Sequence, residues 1–190
     1  NEIDNAGYMW ECPDFFALDG EYILLCCPQG MVREHERYLN TYPCAWLHGQ
    51  FDYETGKFTH GAFSELDAGF EFYAPQTMEA PDGRRLLVGW MGVPDGEEML
   101  QPTRKHHWQH QMTCFRELSF QKGKLFQMPI RERAQLREAE HFWQVKADHA
   151  PHVEIERLEM DIIPSGELYL NFGNALALHL NDDGIQLQRR

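Results

Sequence analysis

Short apolar runs alternate with turn residues along the first 130 positions of the chain. Such runs lie at 21–27, 42–48, 70–79 and 84–91, and segments containing Gly, Pro or Asp separate them. Runs of this length, spaced in this way, are typical of all-β proteins. The longest apolar run, YILLCC at 22–27, suits a buried strand and is far shorter than the roughly 20 residues that span a bilayer. We therefore predict an all-β fold.

Two β-hairpins are predicted in this part of the chain. Residues 70–79 lead through APDG into 84–91, and the segments 111–120 and 125–128 flank QKGK. Asp-Gly and Lys-Gly pairs suit such connections because glycine adopts the positive φ angles that tight hairpin turns need.

The pattern changes after Pro129. Residues 131–141 are charged and predict a short helix or a linker, and strands are predicted again at 153–158, 168–172, 175–181 and 185–188. The change places a domain boundary between 130 and 145. We predict domains at 1–137 and 138–190.

Composition excludes several classes of function. The chain carries 17 Lys and Arg against 30 Asp and Glu, a formal net charge of −13. Nucleic acids and anionic lipids both require basic surfaces, so neither is an expected partner. The five cysteines form no C-x-x-C motif. Their odd number argues against a disulfide framework, and we predict a reduced compartment, the cytoplasm.

One carboxylate has mainly apolar neighbours in the sequence. Glu11 belongs to WECPDFF at 10–16, and apolar surroundings favour the protonated form of a carboxyl group, which a general acid needs. The alternative is a surface carboxylate beside a buried tryptophan. Asp67 and Glu71 flank Gly69 before the aromatic pair Phe72-Tyr73, which suggests a loop entering a strand more than a site.

The other candidate residues each allow a structural and a functional interpretation. His106 and His110 are four residues apart without the H-E-x-x-H pattern, and no serine lies in G-x-S-x-G. The basic cluster RKHH, which contains Arg104 and Lys105, is either a solvated loop or an anchor for an anionic group. Tyr73 and Trp90 are either core residues or stacking faces for a sugar.

Several segments together resemble glycoside hydrolase family 32. ECPD at 11–14 is similar to a signature of that family, and further similar segments follow in the family's order. They are LDAGFEFYAPQT at 66–77, DGRRLLVGWMG at 82–92, WQHQMT at 108–113 and REL at 116–118. The resemblance is close over about 8–137 and loose beyond.

The resemblance implies the C-terminal part of a five-bladed β-propeller followed by the start of a β-sandwich. It implies a β-fructofuranosidase with a retaining two-carboxylate mechanism and no cofactor or metal. Glu11 matches the family's general acid/base. Cys12 and Trp90 would line the fructosyl pocket. Tyr73, as an aromatic stacking face, is a further candidate for sugar contact, and Arg104 or Lys105, as cations, are the candidates for binding the phosphate of sucrose 6-phosphate. An invertase on plain sucrose or fructans, a non-catalytic sugar-binding relic and a mere scaffold segment remain alternatives.

Two family motifs are missing. The family's nucleophile lies in W-M-N-D-P-N-G and a second aspartate lies in R-D-P, whereas this sequence has no Asp-Pro dipeptide. Glu71 and Phe115 also stand where many members have Asp and Pro. We expect these residues to be part of a longer enzyme, with the acid/base but without the nucleophile, and inactive alone. Unpaired strand edges would permit self-association.

Overall fold

The computed structural model describes residues 3–92, 95, 101–144, 146, 152, 154 and 159–189. The chain divides into two compact units, 1–137 and 138–190. In the described residues no helix is long and apolar enough to cross a membrane. The strand predicted at 153–158 falls outside them except for Glu154, which is not in a strand.

The first unit begins with an antiparallel sheet of consecutive strands. Its order is β1 (Met9–Leu18), β2 (Glu21–Gln29), β3 (Ala45–Asp52) and β4 (Lys57–His60), and the short β5 (Ser64–Glu65) pairs with β3. The sequence pattern predicted β2 and β3 but missed β1 and β4. The alternation that marks a half-buried strand is interrupted in β1 by a bulge.

A second antiparallel sheet follows in the same unit. Its strands are β6 (Tyr73–Glu79), β7 (Arg85–Met91), β8 (Gln111–Met112), β9 (Arg116–Gln121) and β10 (Lys124–Pro129). The order is β10-β9-β7-β6, with β8 paired to β7. Both predicted hairpins are confirmed, as is the all-β fold.

The single strand predicted at 111–120 is wrong, because it is interrupted between β8 and β9. Met112 pairs with Trp90 and Arg116 pairs with Leu87, so the β8–β9 side has one residue more than β7. Thr113 fills the irregular position, where its amide donates to the Gly89 carbonyl and its Oγ1 accepts from the Gly89 amide.

The first strands of the two sheets contain matching β-bulges. The pairing shifts by one residue after Glu11 in β1 and after Tyr73 in β6. The next residues, Cys12 and Ala74, have φ angles of 49° and 48°, and proline follows each of them. Since bulges re-aim side chains, Glu11 and Tyr73 occupy equivalent, specially oriented positions.

The two sheets of the first unit pack face to face. One apolar cluster takes Phe16, Ile23, Leu25, Cys27, Cys44, Trp46 and Leu66 from the first sheet and its loops, and Phe72, Tyr73, Leu87, Leu118 and Phe120 from the second. This shared core fixes β1 against β6. It thereby holds the two bulges at a set separation.

The second unit is a three-stranded antiparallel meander. Its strands are β11 (Leu168–Phe172), β12 (Leu176–Asn181) and β13 (Gly184–Arg189), in that order. The strands predicted at 168–172, 175–181 and 185–188 are confirmed to within one residue. The charged segment after Pro129 forms only a short 3-10 turn, Arg131–Leu136.

Gly89 permits a close approach between β7 and the core. A Cβ atom at this position would lie 2.4 Å from the Phe72 ring, which is buried. We expect Gly89→Ala to lower the free energy of unfolding by about 1–3 kcal/mol, because overpacking displaces the ring. Urea unfolding followed by tryptophan fluorescence measures the change.

Gly61→Ala is the matched control for this substitution. A Cβ atom at Gly61 meets no atom within 4 Å, so this variant should unfold at the urea concentration of the parent chain. Equal stability of the two variants would contradict the role given to Gly89.

Candidate active site

The carboxylate of Glu11 lies at the bulge of β1 and receives two hydrogen bonds. Tyr73 donates from its hydroxyl to Oε2 at 2.7 Å, and Gln29 donates from Nε2 to the same oxygen at 3.2 Å. The donors come from β6 and β2. The side chain of Glu11 is only partly buried, so the carboxylate is held in place and can still meet a ligand.

Tyr73 is the equivalent of Glu11 in the second sheet. Its ring is buried in the core, and its centroid lies 6.0 Å from the centroid of the Tyr42 ring. Burial raises the pKa of the Tyr73 hydroxyl, the hydrogen bond from Gln29 lowers it, and the Glu11 carboxylate raises it further, with a net upward shift. The hydroxyl therefore keeps its proton and donates it.

Tyr73 was predicted from the sequence as a substrate-binding residue. The hydrogen bond to Glu11, 62 residues away in the sequence, was not predicted. One sequence feature could have indicated that the two positions are equivalent. Proline stands two residues after each of them, Pro13 after Glu11 and Pro75 after Tyr73.

Thiols lie next to Glu11. Cys12 follows it in the bulge, and burial, together with the neighbouring Cys27 and Glu11, raises the pKa of the Cys12 thiol. The Sγ atoms of Cys27 and Cys44 are 3.3 Å apart, and all five cysteines are free. The Cys12 thiol, next to Glu11, therefore keeps its proton.

Trp90 is placed beside the same site by strand pairing. It lies opposite Tyr73 in the β6–β7 ladder, and its ring stacks on His110 with centroids 5.0 Å apart. Trp90 is partly buried and packs against the shared core. The structure thus brings together four of the predicted site residues, Glu11, Cys12, Tyr73 and Trp90.

Arg104 and Lys105 lie in the connection between β7 and β8. They belong to an exposed 3-10 turn, Pro102–His106. The connection leaves β7 just after Trp90 and returns through His110 to β8, which pairs with β7 at Trp90. Both ends of the segment that carries the basic cluster are therefore anchored beside Trp90.

Asp14 ties the two first strands together. Its Oδ2 accepts hydrogen bonds from the amide of Thr77 at 2.7 Å and from the Thr77 hydroxyl at 2.6 Å. Its other oxygen lies 3.9 Å from the guanidinium of Arg85. Asp14 thus fixes β1 against β6, a role that the sequence did not reveal.

Asp67 belongs to a separate cleft. Arg116 donates from Nη1 to Asp67 Oδ2 at 2.7 Å and to Gln127 Oε1 at 2.9 Å. The cleft has a volume of about 450 Å³, and its lining does not include Glu11. The carboxylate of Asp67 thus ties the loop between β5 and β6 to β9.

Residues 1–129 match the family model described as the N-terminal domain of glycosyl hydrolases family 32. The chain belongs to glycoside hydrolase family 32. The segments at 11–14, 66–77, 82–92 and 108–118 that resembled the family all lie within the matched range.

Curated members of family 32 resemble the whole chain. A sucrose-6-phosphate hydrolase of Klebsiella pneumoniae is 56% identical over 190 residues, and one of Salmonella typhimurium is 55% identical over 192 residues. Each alignment covers 100% of this chain and 40% of the relative. The chain therefore spans about two fifths of the length of these relatives.

Solved structures of family 32 share the fold over most of the chain. A β-fructofuranosidase of Bombyx mori superposes with a TM-score of 0.66 at 36% identity, covering 72% of this chain and 29% of that protein. A variant of the same protein has been solved in complex with sucrose. A sucrose-6-phosphate hydrolase from Lactobacillus gasseri gives a TM-score of 0.64 at 33% identity, covering 72% and 28%.

Proposed function

We propose that this family 32 chain is part of a β-fructofuranosidase that cleaves sucrose 6-phosphate into glucose 6-phosphate and fructose. Glu11 acts as general acid and base, and the nucleophilic carboxylate comes from outside these 190 residues. The observation that carries the proposal is the Glu11 carboxylate, oriented at a bulge by Tyr73 and Gln29. Support comes from the 56% identity to a sucrose-6-phosphate hydrolase.

The proposed chemistry has two steps. In the first, protonated Glu11 gives its proton to the glycosidic oxygen, the bond from that oxygen to the anomeric carbon breaks, and the nucleophilic carboxylate bonds to the fructosyl carbon. In the second, the Glu11 carboxylate takes a proton from water, whose oxygen displaces the carboxylate from that carbon. A residue that changes roles in this way is expected in retaining glycosidases.

The two sheets of the first unit are proposed to be two blades of a five-bladed β-propeller. Each has a path of four antiparallel strands and one short strand off that path. Four antiparallel strands are the basic form of a propeller blade. The matching bulges in β1 and β6 support a repeated unit. Residues 138–190 are proposed to begin a β-sandwich.

The substrate is proposed to lie against Cys12, Trp90 and Tyr73, with its phosphate on Arg104 and Lys105. The arrangement that supports this is the anchoring of the basic connection beside Trp90. The cytoplasm is the proposed location because all five cysteines are free.

A comparison of two sugars tests the substrate. The full-length gene product should show a higher kcat/KM for sucrose 6-phosphate than for sucrose. Replacing Arg104 and Lys105 together with Ala should raise KM for the phosphorylated sugar about tenfold or more, because charge-assisted hydrogen bonds to phosphate are lost. KM for sucrose should stay the same.

Lys122→Ala is the control for the double variant. It changes a lysine in the exposed turn between β9 and β10 and should leave both KM values unaltered. Equal effects of the double variant on the two sugars would remove the phosphate role of Arg104 and Lys105. A parent enzyme that prefers plain sucrose would favour an invertase.

A further inference from the structure

The side chain of Gln29 bridges Glu11 and an aromatic residue outside the core. Gln29 donates from Nε2 to Glu11 Oε2 at 3.2 Å, and its Oε1 accepts from the hydroxyl of Tyr8 at 3.1 Å. Gln29 pairs with Met9 and Glu11 pairs with Cys27 across β1 and β2. Residues two apart on a strand share a face, so Gln29 and Glu11 are diagonal neighbours on one face.

The amide of Gln29 is held in one orientation by Glu11 and Tyr8, and its NH₂ end also donates to the Tyr73 hydroxyl. A carboxylate oxygen can only accept, so the NH₂ end must face Glu11, and the carbonyl end then faces Tyr8. The ring of Tyr8 lies over Gly30, where a Cβ atom would come within 2.4 Å of it. The backbone at the end of β2 therefore seats Tyr8, and Tyr8 orients the amide.

Both donors to Glu11 use the same oxygen. Tyr73 and Gln29 each bind Oε2, and in the described part of the chain no donor lies on Oε1. An oxygen that already accepts two hydrogen bonds is a poor site for the exchanged proton, whereas Oε1 can hold it and deliver it.

We propose that Gln29 is a positioning residue, which works with Tyr73 to reserve Oε2 of Glu11 for hydrogen bonding and to leave Oε1 as the oxygen that transfers the proton. This inference rests on the proposed function, in which Glu11 is the acid/base. In the first step the proton leaves Oε1 for the glycosidic oxygen, and in the second the proton of water returns to Oε1. Oε2 keeps its two donors in both steps.

Kinetics of the full-length gene product on sucrose 6-phosphate test this inference. We expect Gln29→Ala to lower kcat about tenfold, because a hydrogen bond to a charged group is lost, and to leave KM nearly unchanged. Removal of a donor also favours the protonated carboxyl over the carboxylate. The alkaline limb of the kcat–pH profile should therefore move to higher pH, which a purely structural role would not cause.

The other titratable groups near Glu11 are retained in Gln29→Ala and do not account for the expected shift of the alkaline limb. The titratable side chains that interact with Glu11 from the surrounding elements are Cys12, Cys27, Tyr42 and Tyr73. A substitution at Gln29 leaves all four side chains in place. Loss of its hydrogen bond to Tyr73 raises the pKa of that hydroxyl, which therefore still keeps its proton.

Two further variants keep the experiment decisive if Gln29→Ala folds poorly. Gln29→Glu preserves the shape of the side chain but replaces the donor with a second carboxylate, so it should move the alkaline limb in the same direction. Tyr8→Phe removes the group that orients the amide, and should lower kcat two- to fivefold, a smaller loss because the donor remains. Gln50→Ala, at an exposed position of β3, is the matched control and should change neither kcat nor the pH profile.

The outcomes separate this inference from the proposed function. If Glu11→Gln abolishes activity while Gln29→Ala and Gln29→Glu keep the parent kcat and pH profile, the positioning role is wrong and the proposed function stands. If Glu11→Gln retains the parent activity, the proposed function fails and the inference fails with it.

Discussion

Glu11→Gln is expected to lower kcat of the full-length gene product on sucrose 6-phosphate by about 10³-fold, with little change in KM. Glutamine keeps the size of the side chain and can still meet Tyr73 and Gln29, but it cannot give a proton to the glycosidic oxygen or take one from water. General acid–base catalysis by a positioned carboxyl group contributes factors of about 10² to 10⁴. Release of glucose 6-phosphate measures the loss.

An activated substrate identifies the step that is lost. A fructoside with a good leaving group, such as a nitrophenolate, needs little protonation, so its first step should be much less affected in Glu11→Gln. Glu79→Gln, at the exposed end of β6, is the matched control and should keep the parent rate on both substrates. Single-turnover release of the leaving group measures the first step, and an equal loss in that step on both substrates in Glu11→Gln would instead indicate a disturbed fold.

The strands that sequence predicts best are those closed by strong turns. The β6–β7 and β9–β10 hairpins each have a glycine at positive φ, Gly83 at 84° and Gly123 at 74°, and such turns depend on local sequence alone. In contrast, β1 was not predicted as a strand, since a proline and a bulge interrupt its alternation. β4, only four residues long, offers too short a pattern.

The candidate site was predictable in its residue types and not in its contacts. ECPD marks Glu11 because the motif is contiguous. The donors to Glu11, Gln29 and Tyr73, lie 18 and 62 residues away, and only the pairing of β1 with β2 and the core between the sheets bring them together. The contacts of Asp14 were likewise not predictable from the sequence. Its contact with Thr77 spans 63 residues, so its structural role is absent from the local pattern.

The 190-residue chain by itself is expected to release no glucose 6-phosphate above background. Retaining hydrolysis requires a second carboxyl group about 5–5.5 Å from the acid/base, and the aspartates of the segments 11–14 and 66–77 are already engaged. Asp14 is bound by Thr77 and lies beside Arg85, and Asp67 is bound by Arg116. Asp14 cannot turn to a sugar carbon without losing the hydrogen bonds that tie β1 to β6, and Asp67 lines a cleft that does not include Glu11.

The assay compares the isolated chain with the full-length gene product, each as parent and as Glu11→Gln. Tryptophan fluorescence is a suitable check of folding because Trp46 is buried in the core between the sheets. A folded chain without activity, beside an active full-length product, agrees with a nucleophile outside these residues. Activity of the isolated chain that disappears in Glu11→Gln would require a nucleophile within it, and the division of the two carboxylates proposed here would be wrong.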